Sequence, residues 1–475
     1  MGQMSGQPKF PIFAETKTLF FFKVVDATLQ FQIDGSGAVT GVRLRQVPID
    51  QVLPRKQSAS SVTLHARRRS AVKRMTHRSG GAAIVAMFVA AGTVYGQDVD
   101  RQAPEADAVA KMEAPASTNG WFVRVASSWT RVLTPSNFVS GENVARTLTV
   151  DIGRQTDGSR DWHRMYNYPS YGVGVFIGRF DQHRELGHPF ATYGFFSWPF
   201  PVSDRAQVTA DFGLGVSWNW AGFDPKTNPM NTALGSAVAY HVDADIALRY
   251  LANTRASVYT GVNVAHWSNG GTRQPNLGLA VIGPKIGVRY NFASQVVPPR
   301  ARPADLPRFE PAWEFVVGAA GSLKNATAAT NALIDFADRR RDFGAFNITA
   351  GLQRHLYRFG KVAAGTDVTY DGATGARADL LDGERVESRA PSGRRFTGGL
   401  YGGYEHVIAR FSTFVQLGTT VWRGFEDVEV PRLYQRYGVR FHLSDHVWST
   451  FAVRTTKWRK ANFLEFGVGY RVRWR

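Results

Sequence analysis

His266 and Ser268 stand two residues apart in "VNVAHWSNGGTRQPNLG", residues 262–278, at the end of an apolar run. On a β-strand, positions i and i+2 share a face. A serine hydroxyl is a weak nucleophile until a neighbouring imidazole takes its proton. Acyl transfer also needs donors for an oxyanion, and the turn Asn269-Gly270-Gly271 offers backbone N–H groups beside the hydroxyl. The spacing H-x-S alone is common, and the same residues suit a polar strand end. The pair therefore has to be judged by the elements that carry it.

Those elements read as strands. From Gly120 onward the chain shows no long helical period. Candidate strands in its first half are 120–132, 144–154, 171–180, 191–201, 206–220, 239–252, 256–269 and 279–292. Beyond the Pro-rich connector "QVVPPRARPADLPRFEP" come 312–324, 343–357, 361–373, 394–409, 410–423, 432–444, 446–458 and 461–474. Each is about the length that crosses a bilayer at a tilt, and polar, Gly- and Pro-containing turns separate them.

Facing sets the class. In 256–269 one parity carries Val258, Thr260, Val262 and Val264; in 279–292 one carries Ile282, Ile286, Val288, Tyr290 and Phe292. In the last strand Leu464, Phe466, Val468, Tyr470, Val472 and Trp474 oppose Glu465, Gly467, Gly469, Arg471 and Arg473. Long alternating strands with aromatic ends point to an all-β, transmembrane antiparallel outer-membrane barrel. A single barrel of about 14–16 strands is the preferred closure, because joining every strand leaves no exposed edge. Two tandem barrels of about eight strands each are the alternative.

On this reading His266 and Ser268 end the lipid-facing row, while Trp267 and Asn269 point with the lumen set. An ionisable group at that place needs a partner or a task. The segment 256–269 counts as an odd-numbered strand, so with the mature N-terminus in the periplasm its end lies at the outer surface.

Bulk composition narrows the rest. The 475 residues include no cysteine, which excludes a disulfide scaffold, thiolate metal sites and cysteine nucleophiles. The net charge of +19 calls for an acidic partner, a phosphate-bearing membrane surface or nucleic acid. "RTTKWRK" near the C-terminus mixes base and aromatic, and between barrel strands it suits lipid phosphates or a membrane girdle better than nucleic acid. His183 and His188 match no metal-ligand spacing on a strand, so neither metal nor cofactor is expected. "DGSG" and "DGATG" are turns that open no helix, so they are not phosphate loops.

The remaining organisation is expected as follows. Residues 1–55 form a small β-rich module, with a tight turn at "DGSG". About residues 15–50 resemble the tail module of some secreted hydrolases of the β-lactamase type. Residues 56–74 are a basic linker. Residues 75–96 read as a signal peptide, with His77 and Arg78 at its head, Ile84 to Val94 as its apolar core, and Val94 and Gly96 at a cleavage site before Gln97. A signal peptide behind a folded module suggests translation from near Met75 or a fusion remnant. Residues 97–119 are a flexible mature N-terminus, 120–292 the first barrel half with the motif, 293–311 the connector and 312–475 the second half.

"HWSNGGTRQPNLG" resembles the active-site motif of PagL-type lipid A 3-O-deacylases, which are outer-membrane acyloxyacyl hydrolases. "YPSYGVGVFIGRF", "LGHPFATYGFFSWPF" and the C-terminal segment beginning "LYQRYGVRF" are similar to longer members of that group. The resemblance implies hydrolysis of the ester-linked 3-O-acyl chain of lipid A at a lipid-facing site, with no metal. It assigns Ser268 as nucleophile and His266 as base, surrounds the oxyanion with Asn269, Gly270 and Gly271, and has Asn276 order the loop. It also implies lipopolysaccharide of the outer leaflet as the partner.

One position departs from the pattern: shorter members carry a glutamate two residues after the last motif glycine, and Ala280 stands there. Glu465, Asp243 and Asp245 fall on the lumen parity and do not replace it. A Ser–His dyad retains reduced activity without the acid. A non-catalytic lipid-binding barrel and a porin or transport channel remain the rival functions.

Overall fold

The computed structural model describes residues 12–14, 19–22, 27–36, 39–46, 49–54, 120–133, 144–295, 306, 308–330, 334–381, 384–426, 431–458 and 460–475. The basic linker, the signal peptide and the mature N-terminus before Gly120 lie outside the described residues, as does most of the connector.

The N-terminal module is a unit by itself. It is a five-stranded antiparallel meander of β1 (Ile12–Ala14), β2 (Leu19–Phe22), β3 (Ala27–Ile33), β4 (Val39–Gln46) and β5 (Ile49–Pro54). At "DGSG" the Asp34 carboxylate accepts from the Ser36 N–H at 2.9 Å, so the side chain sets the turn.

Beyond the linker the chain closes twice. The first barrel runs through β6 (Trp121–Val132), β7 (Val144–Gln155), β8 (Ser170–Phe180), β9 (Gly187–Pro201), β10 (Ala206–Trp220), β11 (Ala239–Leu251), β12 (Ala256–Ser268) and β13 (Leu279–Asn291). β13 pairs back onto β6, with Val288 opposite Val125, and that ladder seals it. The second runs through β14 (Trp313–Thr327), β15 (Arg340–Tyr357), β16 (Gly360–Asp371), β19 (Phe396–Ile408), β20 (Phe411–Arg423), β21 (Leu433–His442), β22 (Val447–Thr456) and β23 (Lys460–Trp474). It is sealed by β14 on β23, with Val316 opposite Arg471.

The antiparallel barrel class and the candidate strands are as expected, but the preferred single closure is overturned: these are two tandem barrels. Facing is identical in either arrangement, because what differs is only whether β13 pairs with β6 or with β14. The long Pro-rich connector is the physical cue. On the same rim 202–205 and 252–255 are short, and even the longer 156–169, which joins the paired β7 and β8, is shorter than the connector and carries a helix of its own. Short helices α1 (Asp161–Met165), α2 (His183–Leu186) and α3 (Phe336–Arg339) and the small hairpin of β17 (Arg377–Leu381) and β18 (Glu384–Ser388) were not foreseen. All four fall in connections too short or too polar to show a period.

Alternation decides what lies inside. Leu148, Val150 and Ile152 of β7 point outward and are exposed, while Thr147, Thr149 and Asp151 are buried in the lumen. The first lumen is packed rather than open. Arg124 binds Asp151 at 2.7 Å and also Asp211, Lys285 binds Asp245, and Tyr193 donates to Asp151 at 2.6 Å. Above them Phe176, Phe180, Trp220 and Trp267 form an aromatic layer. The second lumen holds Lys361–Glu314 at 2.8 Å, Arg436–Glu465 at 2.9 Å, and Arg440–Glu405.

Glu465, Asp243 and Asp245 therefore face their lumens as read from parity. Arg454, in "RTTKWRK", also turns inward to Asp367, at 3.3 Å, so that part of the stretch does not meet lipid phosphates. Such ion pairs hold the wall only while both signs are present. Arg124→Ala leaves Asp151 and Asp211 buried without their cation and is expected to cost about 3–5 kcal/mol. Urea unfolding of the purified chain measures it, and a midpoint equal to wild type contradicts it.

The two barrels lie against each other. Phe212, Val242, Ala244 and Val264, on the outer parity of β10–β12, form a buried or half-buried cluster, unlike the exposed outer row of β7. The Tyr240 ring meets Phe451 with centroids 4.9 Å apart, and Tyr166 meets Phe359 at 4.8 Å.

Candidate active site

β12 carries both functional side chains, and its register explains their placement. Val258 and Val262 of its outer row are exposed, and His266 and Ser268 continue that row into half-buried positions at the strand end. Trp267 is fully buried in the lumen, its ring tilted against Trp220 with centroids 5.4 Å apart. The parity read from sequence is therefore correct. The surroundings differ from the expectation of an open lipid face: this end of the outer row is turned into the seam between the barrels.

The loop 269–278 that follows β12 is built from its own polar groups. The Asn269 N–H donates to Asn276 Oδ1 at 3.1 Å, and Asn269 Nδ2 donates to the Arg273 carbonyl at 2.7 Å. Asn269 Oδ1 accepts from the Gly271 N–H at 3.0 Å. Held in this way, Asn276 directs Nδ2 to Ser268 Oγ at 2.9 Å, and the Gly270 N–H reaches the same oxygen at 3.1 Å. Two donors thus converge on the hydroxyl oxygen itself, beside the place where an acyl oxyanion would form. Gly270 has φ of 67°, in the left-handed region, and a Cβ there would collide with the Leu464 side chain. A residue other than glycine is excluded there on both counts.

His266 packs its ring against Gly278, where an added Cβ would lie 2.7 Å from Cε1. Its Nδ1 is buried and has no hydrogen-bond partner among the described residues. The register puts Ala280 directly opposite His266 on β13, so the missing carboxylate is missing from the position that faces the imidazole. The hydrogen bonds of Ser268 run to Asn276 and Gly270 rather than to His266. A turn of the serine about χ1 is needed to bring its proton to the imidazole.

The second barrel also touches this loop, which the motif does not reveal. The Asn325 N–H donates to the Gly271 carbonyl at 2.8 Å, and Asn325 Oδ1 accepts from the Gln274 N–H at 3.1 Å. Arg340 Nη1 donates to the Gln274 carbonyl at 2.8 Å. Neither residue carries a local signal, since their role depends on how two separately closed barrels sit together. Elsewhere, His183 and His188 stack at 5.7 Å on the same rim.

Comparison with known proteins adds the following. Residues 147–289 match the family model described as lipid A 3-O-deacylase (PagL). Residues 312–474 match the model described as acyloxyacyl hydrolase, C-terminal domain. Together the two matches span most of both barrels. No curated protein matches the chain. Among solved structures, the outer membrane enzyme PagL is 20% identical, with a TM-score of 0.24, over 36% of this chain and 98% of that one. Neisserial surface protein A is 10% identical, with a TM-score of 0.26, over 37% and 98%. A porin of Rh. blastica is 9% identical, with a TM-score of 0.15, over 74% and 99%.

Proposed function

The chain belongs to the PagL family of lipid A 3-O-deacylases, and from that premise we propose that it is an outer-membrane esterase removing the ester-linked 3-O-acyl chain of lipid A in lipopolysaccharide. The observation that carries this reading is the convergence of Asn276 Nδ2 and the Gly270 N–H on Ser268 Oγ, beside an outward-facing His266. Ser268 is the nucleophile and His266 the base. Ser268 Oγ attacks the ester carbonyl while His266 takes its proton, and the Gly270 N–H and Asn276 Nδ2, released from Oγ as it bonds to the acyl carbon, pass to the oxyanion formed beside it. Collapse breaks the bond to the sugar 3-oxygen, which leaves with the proton from His266. Water then attacks the acyl-enzyme by the same route and releases the fatty acid.

Loops 221–238 and 269–278 share one rim, while the other carries the short turns 202–205 and 252–255 beside the longer loop 156–169; the first rim fits the outward side of barrels with long outer loops better. This supports the reading that Ser268 faces the outer leaflet, where lipopolysaccharide resides. The porin reading is disfavoured by the ion pairs that cross both lumens. A lipid-binding barrel without catalysis is separated by a test of the nucleophile itself. A long-chain alkyl phosphonate with a good leaving group is expected to add one phosphonyl mass at Ser268, located by peptide mass spectrometry. Labelling that persists in Ser268→Ala, or no labelling of the folded protein, contradicts the assignment.

A further inference from the structure

We infer that the second barrel forms the far wall of the acyl-chain site: the chain bound for hydrolysis runs along the mouth of the seam, over the half-buried Tyr240 and Val242 of one barrel and Phe451 and Val453 of the other, with the buried Leu464 at its floor. This rests on the deacylase reading above and adds to it what selects the chain.

Ser268 is opposite Tyr240 in the β11–β12 ladder, and His266 is opposite Val242. The Tyr240 ring is in contact with Phe451. Gly270, which donates to Ser268 Oγ, has Leu464 against it. Leu464 pairs with Val453 across the β22–β23 ladder, and Phe451 pairs with Phe466. The first side chains met on leaving Ser268 along the outer wall are thus apolar on both barrels.

Exposure marks where the wall ends. Leu464 is 2% exposed, whereas Phe466 and Val468, further along the same outer row, are 52% and 60% exposed. The half-buried state of Ser268 leaves the hydroxyl reachable from the seam. Asn325 and Arg340 tie the motif loop to the second barrel through Gly271 and Gln274. The wall therefore stays at a fixed distance from the nucleophile.

A lone barrel would place the chain against fluid lipid, where an added methylene meets no boundary. A slot closed by packed side chains discriminates by length, because each added or missing methylene is felt as overpacking or as a void.

The test uses the full chain in detergent with lipid A carrying 3-O chains of different lengths. Leu464→Trp is expected to shift the kcat/KM ratio of short over long chains upward by about tenfold. Leu464→Ala is expected to shift it downward, and Val468→Trp, on the exposed row, to leave it unchanged. Equal changes for all chain lengths overturn the inference while leaving the deacylase reading intact. A second arm does not depend on turnover. Ser268→Ala is incubated with lipid A bearing a diazirine at the end of its 3-O chain and irradiated. Crosslinks in 239–243, 447–456 and 460–466 support the seam, even if wild type proves inactive and the deacylase reading fails. Crosslinks confined to exposed outer rows such as Leu148, Val150 and Ile152 overturn it.

Discussion

Ala280→Glu is expected to raise kcat on lipopolysaccharide by about 10- to 100-fold, with KM little changed. Ala280 faces His266 across the β12–β13 ladder, and directly paired side chains have Cβ atoms about 5 Å apart. His266 Nδ1 is buried without a hydrogen-bond partner among the described residues, so neither ring tautomer nor ring orientation is fixed by a hydrogen bond there. Proton transfer from Ser268 makes an imidazolium whose second N–H would then have no acceptor. A glutamate at 280 supplies that acceptor and the opposing charge at the moment the cation forms. Because the gain arises in the transition state, it belongs in kcat. Initial rates of fatty-acid release by folded protein measure it. An unchanged kcat shows that another group already orients the imidazole.

Ser268→Ala is expected to lower kcat by about 10⁴-fold or more, the largest loss of any single substitution in the chain. The substitution removes the attacking oxygen while leaving Asn276 anchored by the Asn269 N–H and the loop held by Asn325 and Arg340. Its effect is therefore on chemistry rather than on folding, and binding of lipopolysaccharide is expected to survive it.

The sequence made strands legible because alternation survives single exceptions. Val258 to Val264 and Phe466 to Trp474 announce their faces without help. That parity also placed His266 and Ser268 on the outer wall and Glu465, Asp243 and Asp245 inside, where Glu465 meets Arg436, Asp245 meets Lys285, and Asp243 lies beside His241. The number of barrels was not legible, since it rests on the choice of one pairing partner for β13 and that choice leaves no trace in the alternation. The neighbourhood of the site was hidden for the same reason. Val264 and Ala244 look like any lipid-facing residues until a second barrel buries them to 4% and 2% exposure. Asn325 meets the loop from 51 residues beyond Gln274, through a contact that only docking of the barrels creates. The donor geometry was half legible: "NGG" advertised the backbone N–H groups, while the amide of Asn276 came from the motif resemblance and not from any local pattern.

The most direct test of the account is the mass spectrum of lipid A from cells expressing the full chain, beside cells expressing Ser268→Ala at equal levels of folded barrel. The expected result is a species lighter by one 3-O-linked hydroxyacyl group with wild type, absent with the variant. Lipid A of identical mass in both, with the barrels shown to be folded in the outer membrane, contradicts the claim that Ser268 cleaves this ester.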